Sequence, residues 1–233
     1  MTFSDYFHPI DFSSREKLPT NSPLAKAVEL IGSFQSPNVL LKDVQGGNTA
    51  NHPIPIFHFP TIADNGAFRY NLIPDKLNLP YIMINMNSND YLMTVAHEMG
   101  HAMDHLLKVH FMGSSSVSST KKIYASEYDI DPLQPWWTAV QQTAAYKQIQ
   151  AMDLGALAAE PCRSENLLFA TRRETFACSF AQFIALKSGD PKFIAHLDAR
   201  RTSRSGQKDR YWQSADFLSI NTTLEHLFSE IGW

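Results

Sequence analysis

The run His97-Glu98-Met99-Gly100-His101 holds the residues best placed to do chemistry in this chain. On a helix of 3.6 residues per turn, side chains four apart project from one face, so His97 and His101 can share one metal ion. Glu98 projects beside them, where its carboxylate can take a proton from a water that the metal activates. If the segment is helical, two imidazoles and a carboxylate in this order form the core of a zinc-peptidase site. Zn2+, one ion per chain, is the metal this donor set calls for.

The flanking residues fit that reading. Residues 81–86 (Tyr-Ile-Met-Ile-Asn-Met) are mostly apolar and read as a strand. Residues 87–90 supply helix N-cap candidates, Ser88 and Asn89 foremost. Apolar residues then recur at helical spacing: Leu92, Val95, Ala96, Met99, Ala102, Met103 and Leu106.

Two histidines leave a catalytic zinc one protein ligand short. The pattern that continues with Gly and then His is excluded, because Asp104 and Leu107 stand at those places. His105 lies about 12 Å along the helix axis from His97 at about 1.5 Å per residue, too far to share the ion. A carboxylate from a second helix is the alternative. Glu174 is the leading candidate, at the head of an apolar helix anchored by Phe176, Phe180, Phe183 and Ile184, where a carboxylate is costly to bury unless paired or metal-bound. A plain N-terminal glutamate on the helix dipole is the competing reading. Glu165, Glu160 and Asp153 remain open as ligands.

At these residues the chain resembles a known family. His97-Glu-Met-Gly-His-Ala-Met-Asp104, followed by Glu174-x-Phe-Ala-x-x-Phe180, is similar to the catalytic domain of anthrax lethal factor and related gluzincin peptidases. The resemblance covers two short motifs. It implies that His97, His101 and Glu174 hold zinc, that Glu98 is the base, that Gly100 allows close packing behind the helix, and that Asp104 supports the site. Two departures stand out. The stretch between His101 and Glu174 is much longer than in that family, so a Ser-rich loop over 113–120 and a helix over 136–152 form an insertion. The family's tyrosine seven residues before the ligand glutamate is replaced by Leu167. The oxyanion donor is therefore unassigned, with Tyr124, Tyr128 and Tyr146 as candidates.

These residues need a scaffold, and 233 residues are enough for one zincin-like domain. The expected class is α+β. Residues 1–110 would form a small mixed sheet packed on the motif helix, and 111–233 a mostly helical part carrying the third ligand. Residues 1–23 read as an extended arm and 23–34 as a helix beginning near a proline. Strands are expected at 38–44, 54–59 and 67–73, the second at a sheet edge because of Pro53, Pro55 and Pro60. Further helices are expected over 172–187 and 191–200, with one or two more over 211–231. The basic cluster Arg200, Arg201, Arg204, Lys208 and Arg210 reads as a solvated loop.

A net charge of −3 with scattered signs argues against nucleic-acid and membrane-surface partners. No apolar run approaches the roughly 20 residues of a membrane-spanning helix, and residues 1–10 lack the pattern of a signal peptide. The cysteines, Cys162 and Cys178, are too few for a disulfide framework. The expectation is a monomeric zinc endopeptidase made in the cytoplasm. The strand Tyr81, Ile82, Met83, Ile84, Asn85 would bind a protein or peptide substrate along its free edge. By the resemblance, the protein would be a secreted bacterial effector acting on a host cytosolic protein of the cytoskeleton or of signalling. The alternatives are a housekeeping peptidase on short peptides and a non-catalytic zinc-stabilised interaction domain.

Overall fold

The structure, a computed structural model, describes residues 7–11, 16–33, 54–60, 62, 65–69, 80–113, 123–151, 172–202 and 211–232. It is mixed α+β, with a small four-stranded sheet and a mostly helical remainder. The expected strand over 38–44, the Ser-rich loop from 114 onward, Asp153, Glu160, Glu165 and Leu167 lie outside the described residues.

The strands are β1 (Phe7–Ile10), β2 (Ile54–His58), β3 (Gly66–Arg69) and β4 (Tyr81–Ile84), in the spatial order β1-β2-β4-β3. β1 and β4 both run parallel to β2, and β3 runs antiparallel to β4. Three expectations are overturned here. The N-terminal arm contains β1, whose Phe7 is fully buried in the core; prolines and polar neighbours hide so short a strand from sequence patterning. β2 is interior rather than an edge. Its pairing with β4 begins at Ile56, beyond Pro55, so the missing N–H of that proline does not interrupt this ladder. β4 also has both sides paired, Ile82 with Ile56 of β2 and with Phe68 of β3, so the strand Tyr81, Ile82, Met83, Ile84 offers no free edge to a substrate. Asn85 lies just past it, its backbone N–H donating to Asn65 O at 2.6 Å.

Helix α1 (Pro23–Gly32) lies in the connection between the parallel strands β1 and β2. Pro23 sets the first turn, Ser22 Oγ accepts from Ala25 N at 3.2 Å, and Leu24, Ala27, Val28 and Ile31 form its buried stripe.

The motif lies on α2 (Tyr91–Met112), 22 residues long. Its N-cap is Asp90, not Ser88 or Asn89, and no side chain caps it. The Asp90 carboxylate instead takes hydrogen bonds from Ser88 Oγ and Arg200 Nε. Apolar periodicity suggests a helix with one buried face, yet α2 is buried on nearly every face from Leu92 to Val109. It packs against β3 and β4, against the helix Arg172–Ser188, and against a short 3-10 turn, Ala125–Glu127.

The helix expected over 136–152 is two: α3 (Gln134–Gln142) and α4 (Ala144–Ala151). Thr143 breaks it with an extended backbone, ψ 151°, and its Oγ1 accepts from Tyr146 N at 3.2 Å, capping the second helix as it ends the first. The remaining helices are α5 (Arg172–Ser188), α6 (Pro191–Thr202) and α7 (Ser214–Glu230). Of the basic cluster, Arg204, Lys208 and Arg210 lie outside the described residues, Arg201 lies in α6, and Arg200 sits in α6 and not in a solvated loop. It bonds Asp90, and Thr94 Oγ1 at 2.7 Å, tying α6 to the start of α2. One cluster of buried apolar side chains runs from Phe7 to Ile231 and joins the sheet to the helices.

Candidate metal centre

Two helices carry the centre. α2 presents His97, Glu98 and His101; α5 crosses it and presents Glu174 from its first turn. They approach closely because Gly100 has no side chain. A Cβ there would lie 2.8 Å from the Ala177 Cα and 3.2 Å from the Phe180 Cβ. Glu174 Oε2 stands 3.4 Å from His97 Nε2 and 3.4 Å from His101 Nε2. The three donor atoms lie within 4.8 Å of one another, so the group can hold a metal ion.

The spacing tests that fit. Donors about 2.1 Å from a common tetrahedral centre stand about 3.4 Å apart. Two of the three donor pairs, the Nε2–Oε2 separations, match that edge, and the third lies within 4.8 Å. Two nitrogens and one carboxylate oxygen are among the donors that a zinc ion takes.

Electrostatics follow from burial and mutual proximity. Burial pushes His97 below the usual imidazole range, and the charge of His101 adds to it. Burial also disfavours charge on His101, but the hydrogen bond and charge of Glu174 outweigh it and raise its pKa. For Glu174, hydrogen bonds from His101 and His97 overcome burial and hold the carboxyl well below the usual carboxylate range. Its place in the first turn of α5 acts in the same direction. The dipole reading and the ligand reading of Glu174 are therefore compatible.

Glu98 is almost wholly buried, and β3 roofs it. A Cβ on Gly66, the first residue of β3, would fall 2.6 Å from Thr94 Cγ2 and 2.9 Å from Glu98 Cγ. The sheet strand beside the centre is thus β3. One of its sides pairs with β4, and no described strand pairs with the other.

The segment 123–128 lies along the polar stripe of α2. Asp104, fully buried, accepts from Ser126 N at 2.8 Å and from Ser126 Oγ. His105 Nδ1 bonds the Ile123 carbonyl at 2.9 Å, and Lys108 Nζ sits 5.2 Å from the Tyr128 ring centre. Burial raises Asp104 to about 7, against the hydrogen bonds from Ser126; burial lowers His105. His105 is therefore a buried anchor of this segment and not a surface residue.

These ties bring Tyr124 to the centre, its ring centre 5.5 Å from that of His101. Burial raises its phenol well above the ordinary tyrosine value, so it stays protonated and can donate. The other two tyrosine candidates are placed elsewhere: Tyr128 under Lys108, Tyr146 edge-on to Trp137 at 5.4 Å.

Two residues at the centre escape sequence reasoning. The Arg173 guanidinium stands 5.9 Å from the Tyr124 ring centre, and its Nε is 3.6 Å from Glu174 Oε1. Cys178 Sγ lies 3.7 Å from His97 Nδ1. Both are legible afterwards as neighbours of Glu174, one residue before it and one helical turn after it.

No family model, curated protein or solved structure matches the chain.

Proposed function

We propose that the protein is a zinc-dependent endopeptidase with a zincin-like arrangement, in which His97, His101 and Glu174 hold the metal. The convergence of Glu174 Oε2 on both imidazole Nε2 atoms at 3.4 Å carries this reading. Zinc, when bound, supplies a Lewis acid for the scissile carbonyl and the attacking water. Glu98 takes the proton of that water on its carboxylate and delivers it to the leaving amine. The phenol of Tyr124 is the donor for the carbonyl oxygen as charge develops there, the task for which Leu167 supplies no tyrosine. An extended peptide adds to the sheet at β3, the strand over Glu98, and not at β4. Exclusion of water follows from the burial of Glu98, His101 and Tyr124.

The resemblance to lethal-factor-type peptidases adds an effector role on a host cytosolic protein. Among the described residues no helix is long and apolar enough to cross a membrane.

The test combines zinc analysis with cleavage of a protein mixture read by mass spectrometry. Wild type should bind one zinc and generate new termini. Glu98→Gln should keep the zinc and generate none, and Glu174→Ala should lose the zinc. Cleavage by Glu98→Gln, or unchanged zinc in Glu174→Ala, refutes the assignment.

A further inference from the structure

Two imidazoles face the candidate metal position, and they are held by different means. His101 Nδ1 is buried and meets no hydrogen-bond partner among the described residues; its ring is wedged between those of His97, at 4.8 Å, and Tyr124, at 5.5 Å. His97 Nδ1 faces Cys178 Sγ at 3.7 Å, within reach of a sulfur hydrogen bond. Cys178 is 2% exposed and lies one helical turn after Glu174 on α5. The same face of α5 therefore contacts both ring edges of His97: Glu174 at Nε2 and Cys178 at Nδ1.

We propose that Cys178 is the positioning residue of His97, accepting its Nδ1–H and so committing the ring to ligate through Nε2. The inference rests on the metal reading above. A neutral imidazole carries one proton, so a partner that holds it on Nδ1 leaves the Nε2 lone pair for the metal. Carboxylates and backbone carbonyls usually play this part. A thiol is a weaker acceptor, and it pushes less electron density into the ring than an anion would. Its second effect is packing: at the α2–α5 crossing, the sulfur fills the space behind the ring and limits its rotation.

The experiment is zinc affinity by chelator competition, run on wild type, Cys178→Ala and Cys178→Asn. Thermal unfolding of each metal-free protein serves as the folding control. Loss of such a partner costs about 10–100-fold in metal affinity. Cys178→Ala should show that loss with its metal-free melting temperature little changed, and Cys178→Asn, whose side-chain oxygen can accept the same proton, should recover most of it. In zinc-loaded wild type, proton NMR should show the His97 Nδ1–H with a cross-peak to the Cys178 Hβ protons, a readout that needs no variant to fold. A wild type that takes up no zinc overturns the metal reading, and this inference with it. If wild type binds zinc, the inference alone is overturned by a Cys178→Ala affinity within twofold of wild type, or by absence of the cross-peak.

Discussion

Gly66 has no side chain, and Glu98 occupies the space one would fill. A methyl group there would meet Thr94 Cγ2 at 2.6 Å and Glu98 Cγ at 2.9 Å; Thr94 is held by the Arg200 hydrogen bond to its Oγ1, and the Glu98 Cγ lies mid-chain. Gly66→Ala should therefore displace Glu98 while leaving the ligands in place. Since a misplacement of about 1 Å can cost about 100-fold, its kcat should fall by about that factor with zinc content unchanged. Steady-state kinetics beside metal analysis checks this; an unimpaired kcat would remove β3 from the site. Tyr124 makes a separate claim. Tyr124→Phe keeps the ring against His101 and deletes the donor, so kcat should drop by about 100-fold or more at constant zinc affinity. The histidines and Glu98 are readable from sequence because their relation is local, within five residues on one helix. Gly66 and Cys178 are not, and Tyr124 is only as one of three candidates, because nothing local relates residues 66, 124 and 178 to residues 97–101.

At the scale of elements, the centre is a crossing of two helices. α2 supplies three of its side chains and α5 one, so the helix–helix distance sets whether the donors can converge. Gly100 sets that distance. A Cβ at Gly100 would press on the Ala177 backbone, at 2.8 Å from Cα and 3.0 Å from O, which cannot rotate away. Gly100→Ala should cost about 1–3 kcal/mol by overpacking. It should also weaken zinc binding, because α5 moves outward with Glu174; denaturant unfolding and chelator competition measure the two effects. The segment 123–128 is the other positioning element. It has little regular structure of its own, and Asp104, His105 and Lys108 hold it by long-range contacts. Sequence reasoning can name the tyrosines but not choose among them, since the choice depends on which polar groups of α2 the loop satisfies.

For the whole molecule, one ion pair fastens the C-terminal helices to the head of the motif helix. Arg200 of α6 bonds Asp90 and Thr94, at opposite ends of the first turn of α2. Burial alone would raise Asp90, but the hydrogen bond and charge of Arg200, with Ser88, lower it below its ordinary value. A carboxyl depressed in the folded state stabilises above its unfolded pKa of about 4, and that contribution is lost as pH falls through the folded value. Asp90→Asn should therefore destabilise at pH 7 by about 2 kcal/mol, the scale of a hydrogen bond to a charged group. The difference from wild type should shrink below pH 4. Melting temperatures across pH test it, and a gap that persists unchanged at low pH would show that the carboxylate charge is not what matters.

Sequence by itself determined the motif helix, the two histidines and the glutamate between them, the candidacy of Glu174 and the α+β class. Each follows from spacing along one element or from the cost of burying a charge. Tertiary structure alone decided that Glu174 converges with the histidines, that β3 and not β4 borders the site, that β1 joins the sheet, and which tyrosine arrives. Strand order and helix crossings depend on contacts between residues tens of positions apart. Those contacts are set by close packing and by where buried polar groups find partners, and neither is encoded in the period of any single segment.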